Sequence, residues 1–213
     1  MYVRDIMTSN VVTIPSTTSI AEAKRIMLAH GFRRLPVVDK GKLVGVVTEH
    51  GLEKVSPSKA TSLTVWELSY LLDKTTVKEI METNVVTIGP EATAEEALAV
   101  AQGHKVGALV VVDKGRVEGI LTTNDFFYKI VNPVLGLGEE GTRVEVTGGG
   151  EPQALEEVIS LVNKHCLKMI NLHIVAPPDA DKKDVIVHLG CEDVSQLKTD
   201  LEGKGYKVSM RQR

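Results

Sequence analysis

Aromatic residues, cysteines and long apolar runs are all scarce in this 213-residue chain. Phe, Trp and Tyr make up 4% of the residues, and Trp66 is the only tryptophan. No apolar run approaches the ~18 residues that a membrane span needs, and the first ten residues lack the apolar core of a signal peptide. We therefore expect a soluble protein with no membrane partner.

The chain also lacks an excess of either charge, because 25 basic side chains face 28 acidic ones. A protein that binds nucleic acid through its phosphates usually shows a basic stripe, so no nucleic-acid partner is expected. Cys166 and Cys191 match neither a zinc-site spacing nor a disulfide framework. Free thiols are typical of a reducing compartment, which predicts a cytoplasmic location.

A repeat with an offset of 74 residues organises the first two thirds of the chain. Between Val3–Leu52 and Val77–Phe126, 19 of 50 positions are identical without a gap. The matching segments are VRDIM with VKEIM, NVVTI with NVVTI, and RLPVVDKG with ALVVVDKG. Such self-similarity predicts two structural copies of one unit.

Each copy predicts the element order β-α-β-β-α. The short run VVTI is a strand candidate, and S/T-x-x-E capping boxes at Ser19 and Thr93 open the helices. Asp-Lys-Gly turns join the paired strands, which are Arg34–Asp39 with Lys42–Thr48 and Ala108–Asp113 with Arg116–Thr122. A last helix is clearest at Asn124–Val131. Two copies related by a pseudo-two-fold axis can cover each other and leave two clefts where the strand ends meet.

Five regions follow from these boundaries. They are repeat 1 (1–55), a helical linker (56–76), repeat 2 (77–133), a glycine-containing linker (134–141) and a C-terminal domain (142–213). In the first linker, Leu63–Leu72 predicts an amphipathic helix. Its Trp66 is expected to pack against a repeat or a second subunit, with ligand stacking as the alternative.

The C-terminal domain predicts a second α/β arrangement with the order β-α-β-β-α-β. Its predicted elements are Arg143–Thr147, Pro152–His165, Ile170–Val175, Asp184–Leu189, Val194–Gly203 and Tyr206–Met210, with a turn at Pro177-Pro178-Asp179. This order is typical of a ferredoxin-like domain with two helices on one antiparallel sheet.

The stretch Gly119–Asp125 carries the strongest functional signal. It runs from a strand into a helix, so the Thr122 hydroxyl would lie beside free N–H groups that favour a phosphate. Asp125, one turn later, could accept hydrogen bonds from two ribose hydroxyls. The alternative is helix capping by Thr122 or Asn124, with an acidic residue in the first turn. A site could use both.

Repeat 1 differs at these positions. Thr48 matches Thr122, but Gly51 stands where repeat 2 has Asp125. Repeat 1 instead carries Arg33 and Arg34, and an arginine at a strand start could reach an anion in a cleft. The alternative is an arginine that is solvated or pairs with the linker.

The quoted segments VRDIM…NVVTI, RLPVVDKG…GVVT and ALVVVDKG…GILTTND closely resemble the cystathionine-β-synthase (CBS) domain, and the pair resembles a Bateman module. The resemblance covers about Met1–Ile130 and implies an adenine nucleotide or related adenosyl ligand in a cleft. It implies that Thr122 contacts phosphate, Asp125 contacts ribose and Arg34 binds an anion. It also implies an adenine pocket lined by backbone at Val86, Thr87, Val106, Gly107 and Ala108.

The C-terminal domain resembles an ACT domain, although Gln153 replaces the glycine of the P-G-x-L motif. The three-part order resembles the acetoin-utilisation B-type regulatory proteins. The glycine run Gly148–Gly150 could bind an anion or could be a plain loop.

The function predicted from these features is a non-catalytic sensor of AMP, ADP or ATP that forms a homodimer and has no cofactor. G-x-S-x-G, H-E-x-x-H and P-loop lysine motifs are absent, and His188 with Cys191 is expected to reflect packing rather than a nucleophile. The alternatives are a dimerisation scaffold with vestigial clefts and a sensor of S-adenosylmethionine or a dinucleotide.

Overall fold

The computed structural model describes residues 1–55, 64–165, 168–178 and 181–212. The chain divides into two compact units, Met1–Phe127 and Tyr128–Arg213. Among the described residues, no helix is long and apolar enough to cross a membrane.

The first unit contains repeat 1 and most of repeat 2. Its helices are α1 (Val3–Ile6), α2 (Ile20–His30), α3 (Glu49–Val55), α4 (Val65–Lys74), a 3-10 turn (Val77–Glu79), α5 (Ala94–His104) and α6 (Thr123–Phe126). Its strands are β1 (Thr8–Ser9), β2 (Arg34–Asp39), β3 (Lys42–Thr48), β4 (Thr87–Ile88), β5 (Ala108–Asp113) and β6 (Arg116–Thr122). One sheet has the order β1-β6-β5-β4, and β2 pairs with β3 in a second sheet.

The first residues of repeat 1 lie on repeat 2. The Val3 N–H donates to the Ala92 carbonyl at 2.9 Å, and the Ala94 N–H donates to the Met1 carbonyl at 3.0 Å. Strand β1 then pairs antiparallel with β6, with Thr8 opposite Ile120. Strand β1 is therefore an edge strand of the sheet of repeat 2.

The corresponding residues of repeat 2 lie on repeat 1 in the same way. The Val77 N–H donates to the Thr18 carbonyl at 2.8 Å, and the Ile20 N–H donates to the Thr75 carbonyl at 3.0 Å. Val77 is fully buried and belongs to the core of repeat 1. Each structural half is therefore completed by residues from the other sequence repeat.

The paired strands and their turns match the sequence predictions. Strands β2, β3, β5 and β6 have the predicted bounds. In each Asp-Lys-Gly turn the two central residues have positive φ, with Lys40 at 51° and Gly41 at 77°. This is the geometry of a tight hairpin turn, and Lys114 and Gly115 repeat it at 47° and 80°.

Two predicted elements of the repeats differ from the structure. In repeat 1 the VVTI run makes only one parallel bridge, between Ile14 and Val37, whereas in repeat 2 Thr87–Ile88 pairs parallel with β5. The predicted helix Asn124–Val131 begins one residue earlier, and its second half, Phe127–Val131, is a π-helix that leads into α7 (Asn132–Val134). A π-helix is a local widening that sequence periodicity does not reveal.

The predicted linker helix is present as α4, with Thr64 as its N-cap, while residues 56–63, including Leu63, lie outside the described part. Leu72 packs against the core of repeat 1. Trp66, by contrast, is 87% exposed. The prediction that Trp66 packs against a repeat is therefore wrong, because the amphipathic pattern did not reveal which part of the apolar face would be covered. A second-subunit contact at Trp66 stays a prediction.

The second unit has the predicted order β-α-β-β-α-β. Its elements are β7 (Thr142–Thr147), α8 (Pro152–His165), β8 (Met169–Val175), β9 (Asp184–Leu189), α9 (Ser195–Gly203) and β10 (Lys207–Gln212). The antiparallel sheet has the order β10-β7-β9-β8. Apolar residues of β7 and β9, such as Val144 and Val187, pack with both helices in one core. Asp179 of the predicted turn lies outside the described residues.

Cys191 is disulfide-bonded in the structure, so the prediction of a free thiol at this position is wrong. Cys166 lies outside the described residues. A sulfur in a disulfide has no thiolate to act as a nucleophile, and His188 is fully buried. The packing interpretation of His188 therefore agrees with the structure.

Candidate functional site

The Thr122–Asp125 pair forms a reciprocal capping box at the end of β6. The Thr122 N–H and hydroxyl donate to Asp125 Oδ2 at 2.8 and 2.7 Å, and the Asp125 N–H donates back to Thr122 Oγ1 at 3.4 Å. Asp125 is only 8% exposed. Capping is thus one role of these residues, and it fixes the carboxylate at the strand end.

Thr8 is a site neighbour that sequence reasoning missed. Its hydroxyl donates to Asp125 Oδ1 at 3.2 Å, so the carboxylate is held from both sides. Thr8 reaches this place because β1 crosses from repeat 1 onto β6. The sequence offered one signal, since Thr8 directly follows VRDIM, but nothing in the pattern predicted that this segment would leave its own repeat.

Arg34 lies against repeat 2, although it belongs to repeat 1. A Cβ atom placed on Gly107 would lie 3.2 Å from Arg34 Nη2 and 3.7 Å from Thr123 Oγ1. Within the described part of the chain, the Arg34 guanidinium makes no ion pair. The structure therefore brings a cation that has no ion pair among the described residues to Gly107, close to Thr123.

Gly107 leaves room for this approach and is anchored by Thr123. The Thr123 N–H and hydroxyl both donate to the Gly107 carbonyl, at 3.2 and 3.3 Å. A side chain at position 107 would fall within close contact of the Arg34 guanidinium. A side chain here would therefore displace the flexible end of Arg34 by a few tenths of an ångström or more.

The other predicted residues of this cleft lie on or next to β4, β5 and α6. Ala108 is directly opposite Thr122 in the β5–β6 register. On the other side of β5, Thr87 is paired with Val110, and the Val86 carbonyl accepts from the Val110 N–H at 3.2 Å. Val106 precedes the strand and donates to the Ala101 carbonyl, and Asn124 is exposed on α6. These positions share one end of the sheet of repeat 2.

The corresponding residues of repeat 1 share the frame but lack the carboxylate. Thr48 Oγ1 accepts from the Gly51 N–H at 3.0 Å, as Thr122 does from Asp125. Arg33, the counterpart of Gly107, has its Nε 3.8 Å from Glu49 Oε2, and both side chains are largely exposed. Arg33 is therefore a solvated, ion-paired arginine, whereas Arg34 enters the strand-end region.

No group of His, Cys, Asp and Glu in the described ranges is arranged to hold a metal ion. A cavity of about 470 Å³ lies on α4, lined by Trp66, Glu67, Tyr70 and Leu71. It lies on the linker helix, apart from the polar strand-end residues described above.

The fold and the site define a module of two paired α/β repeats with polar strand ends. The chain belongs to the CBS domain family, whose model matches residues 3–57 and 77–132, more than half of the chain. The prediction of two CBS domains in tandem is therefore confirmed.

Several known proteins share this module. Inosine-5'-monophosphate dehydrogenase from Korarchaeum cryptofilum is 35% identical over 133 residues, which are 62% of this chain and 25% of that protein. The chain thus spans about a quarter of the length of this curated relative.

Solved structures match a similar share of the chain. An acetoin utilization protein, AcuB, from Vibrio cholerae is 33% identical, with a TM-score of 0.52 over 64% of this chain and 94% of that chain. The CBS domain pair of protein MJ0100, in complex with 5'-methylthioadenosine and S-adenosyl-L-methionine, is 29% identical, with a TM-score of 0.51 over 62% and 97%. CBSX2 in complex with AMP is 26% identical, with a TM-score of 0.51 over 62% and 96%.

Proposed function

We propose that this protein is a non-catalytic sensor that binds an adenine nucleotide, AMP, ADP or ATP, at the strand-end cleft of repeat 2. The single observation that carries the proposal is the fixed Asp125 carboxylate beside Thr122, with the Arg34 guanidinium at the same strand end. A carboxylate can accept from two ribose hydroxyls, and a guanidinium can bind phosphate oxygens. The AMP complex of CBSX2 supports this ligand class.

In this proposal Thr122 and Arg34 contact the phosphate and Asp125 contacts the ribose. Ribose hydroxyls would replace the Thr8 hydroxyl on Asp125 Oδ1, so ligand binding would act on the crossing segment of repeat 1. The backbone from Val106 to Ala108, with Val86 and Thr87, would line the adenine pocket. Binding counts as a signal only if two states of the protein differ in affinity for the nucleotide.

The C-terminal unit is proposed to be an ACT-like, ferredoxin-like domain that receives this signal or passes it to a protein partner. Its strand order and its two helices in one core support that assignment. The similarity to AcuB supports a regulatory protein of the acetoin-utilisation B type. A homodimer completes the proposal, whereas the expected cytoplasmic location loses its argument from free thiols because Cys191 is disulfide-bonded.

A different adenosyl ligand is the second candidate. The MJ0100 pair binds 5'-methylthioadenosine and S-adenosyl-L-methionine, and Asp125 would accept from the ribose of either compound. A scaffold with empty clefts is the third, favoured by the intrachain hydrogen bonds that already occupy Asp125.

Calorimetric titration with AMP, ADP and ATP, together with native mass spectrometry, tests the proposal. Asp125→Ala should weaken binding by about 100-fold or more, since it removes charge-assisted hydrogen bonds to two hydroxyls. Asp125→Asn keeps the side-chain shape and one acceptor oxygen, so its nucleotide affinity should lie between those of the wild type and Asp125→Ala. Glu96→Ala is the matched control, because it breaks the capping box of α5 away from the cleft.

Wild-type affinity in Asp125→Asn and Asp125→Ala would contradict the ribose assignment. A folded wild-type dimer that binds none of the three nucleotides would favour the scaffold, unless S-adenosylmethionine binds instead. Turnover of any of these ligands would favour an enzyme.

A further inference from the structure

A row of hydrogen-bond donors crosses the sheet of the C-terminal unit. Its members stand opposite one another in adjacent strands: Arg211 in β10, Arg143 in β7, His188 in β9 and Asn171 in β8. Successive side chains of a strand point to opposite faces of the sheet, and Val187, next to His188, packs in the core with both helices. These four residues, the donor row, therefore lie on the face that the helices leave free.

The donor row carries positive charge and no carboxylate. Arg211 is exposed, and it makes no ion pair within the described part of the chain. Glu145 belongs to the neighbouring row, where its Oε2 accepts from the Ser209 hydroxyl at 3.1 Å. A guanidinium presents a planar pair of donors that matches the oxygens of a carboxylate or a phosphate. The side chains of the row thus favour an anion over a cation.

The polar atoms at the β8 end of the row are buried. Asn171 Oδ1 and Nδ2 have no hydrogen-bond partner among the described residues, and neither does His173 Nε2, two residues further along the same face of β8. A buried polar atom without a partner costs free energy, because it has lost its water and gained no bond in exchange. Two residues of a strand are about 7 Å apart, a gap that an oxyanion can bridge with two hydrogen bonds of about 2.8 Å. A ligand of this kind would therefore supply what the chain does not.

Gly136 lies directly over the buried end of the donor row. A Cβ atom placed on it would be 2.4 Å from His188 Nδ1 and 2.6 Å from Asn171 Nδ2, and its φ is +62°. Both the space and the backbone therefore favour glycine. The N–H groups on either side, at positions 135 and 137, donate to the carbonyls of residues 131 and 132 at 2.8 Å. The turn that carries Gly136 thus holds these hydrogen bonds within itself and keeps them if it moves off the sheet.

We propose that the donor row binds a small oxyanion, a phosphate or a carboxylate, which replaces Gly136 over Asn171. Asn171 and His173 bind its oxygens, and the guanidiniums of Arg143 and Arg211 provide the positive charge. The row is exposed at β10 and buried further in, so the ion enters from the β10 side.

This site is separate from both anion sites considered so far. It lies at the start of β7, whereas the glycine run Gly148–Gly150 follows the end of that strand. It also belongs wholly to the C-terminal unit, so it does not depend on the nucleotide site proposed at Asp125. The proposal gives this unit a ligand of its own.

Titration of the full chain with sodium phosphate and, separately, with sodium acetate tests the proposal, with sodium chloride at equal ionic strength as the reference. Isotope labelling confined to asparagine and glycine nitrogen lets nuclear magnetic resonance follow the Asn171 side-chain amide and the Gly136 backbone amide. Both signals should shift saturably with the oxyanion that binds. A shift with phosphate alone identifies a phosphate site, and a shift with acetate alone identifies a carboxylate site.

Asn171→Leu keeps the size of the side chain but removes both polar atoms. It should weaken oxyanion binding, followed at the Gly136 amide, by about tenfold or more. Asn163→Leu makes the same change at an exposed position of α8 and should leave the affinity unchanged. Wild-type affinity in Asn171→Leu overturns the proposal, and so does a wild-type Asn171 signal that moves no further with either oxyanion than with chloride.

A pair of glycine variants tests whether the ion replaces Gly136. Gly136→Ala pushes the turn off the donor row, so it should strengthen oxyanion binding by about threefold or more, because the open state no longer has to be formed on binding. Gly138→Ala is the matched control, since its φ is +90° but nothing lies within 4 Å of its Cβ position. Equal oxyanion affinities in the two variants would overturn the replacement of Gly136 by the ion.

Discussion

The two repeats share a backbone frame, yet identical residues in them have different hydrogen-bond partners. Asp39 and Asp113 both open an Asp-Lys-Gly turn. Asp39 Oδ1 accepts from the Ser16 N–H at 2.9 Å, which ties the VVTI segment to the turn. In repeat 2 the counterpart of Ser16 is Pro90, and proline has no N–H that could be donated to Asp113. The stabilising hydrogen bond of the turn aspartate therefore depends on the residue opposite it, Ser16 or Pro90, because the aspartate itself is the same in both repeats.

The same difference extends to the functional ends of the strands. Repeat 2 keeps Asp125 in a complete capping box, whereas repeat 1 has Gly51 at the equivalent position. The two repeats share the strands, the Asp-Lys-Gly turns and the threonine at the strand end. They differ at Gly51 and Asp125, the position that is proposed to contact the ribose. The two repeats therefore present different side chains at the ends of their strands.

The largest expected effect on stability comes from filling the space beside the two crossing segments. These are the residues around Thr8, which pair with Ile120, and those around Glu82, which pair with Val46. A Cβ on Gly119 would lie 2.5 Å from Met7 Sδ and 3.0 Å from the Thr8 carbonyl, and a Cβ on Gly45 would lie 2.7 Å from Met81 Sδ. We expect Gly119→Ala and Gly45→Ala each to lower the free energy of unfolding by about 1–3 kcal/mol through overpacking. Urea denaturation measures the change.

The control for this pair is Gly103→Ala. Gly103 lies in α5 with nothing near its Cβ position, so alanine should stabilise the protein by about 0.5–1 kcal/mol. If only Gly119→Ala were destabilising, the two crossing segments would not be equivalent, and the shared backbone frame of the repeats would not extend to them.

The next largest effect is a difference in thermal stability between variants of the two turn aspartates, Asp39 and Asp113. Asp39→Ala leaves the Ser16 N–H without its acceptor, so it should lower the melting temperature by a few degrees more than Asp113→Ala does. Both variants lose the same turn residue, and the difference isolates the bond to Ser16. Equal losses in thermal denaturation would show that the bond contributes nothing beyond the turn.

Acid should reveal the same asymmetry. The hydrogen bond from the Ser16 N–H, followed by that of its side chain, lowers the pKa of Asp39 below its ordinary value. A lowered folded-state pKa stabilises the protein above the unfolded value of about 3.9, and this contribution is lost as the pH falls through the folded pKa. Asp39→Ala should therefore reduce the loss of unfolding free energy that the wild-type protein shows as the pH falls below about 3.9. Asp113→Ala should keep the acid dependence that comes from Asp39. Urea denaturation at several pH values measures both.

The sequence predicts local elements well where pattern and turn residues agree. Strands β2, β3, β5 and β6 combine β-branched runs with Asp-Lys-Gly turns, and all four have their predicted bounds. The Thr122–Asp125 pair follows from an i to i+3 spacing and forms the expected capping box. These features need only neighbours in sequence.

The features that were missed depend on distant partners. Strand β1 has two residues, and Thr8 meets Ile120 only because the segment leaves its own repeat. The approach of Arg34 to Gly107 and the exposure of Trp66 likewise depend on how elements pack. Periodicity marks an apolar face but does not state what covers it. The disulfide at Cys191 is a further tertiary feature that cysteine spacing alone did not predict.

The smallest expected effect compares the first turns of α2 in repeat 1 and α5 in repeat 2. Thr93 and Glu96 form a complete capping box, in which the Thr93 N–H donates to Glu96 at 2.8 Å. At Ser19 only the hydroxyl half is present, because Glu22 turns to Arg25 and accepts two hydrogen bonds of 2.8 and 2.7 Å. The same S/T-x-x-E pattern thus caps one helix and supplies a surface ion pair on the other.

Salt should therefore distinguish Glu96→Ala from Glu22→Ala. Loss of the Glu96 cap should cost roughly 0.5 kcal/mol in unfolding free energy, and most of this should persist in 1 M NaCl because it is a short bond to a backbone N–H. Loss of the Glu22–Arg25 pair should cost less and should vanish in the same salt, since exposed ion pairs are screened. Arg25→Ala, the partner control, should match Glu22→Ala in both conditions. An equal salt response in all three variants would mean that the Glu96 contact is also only a surface charge effect, and that the two helices begin alike.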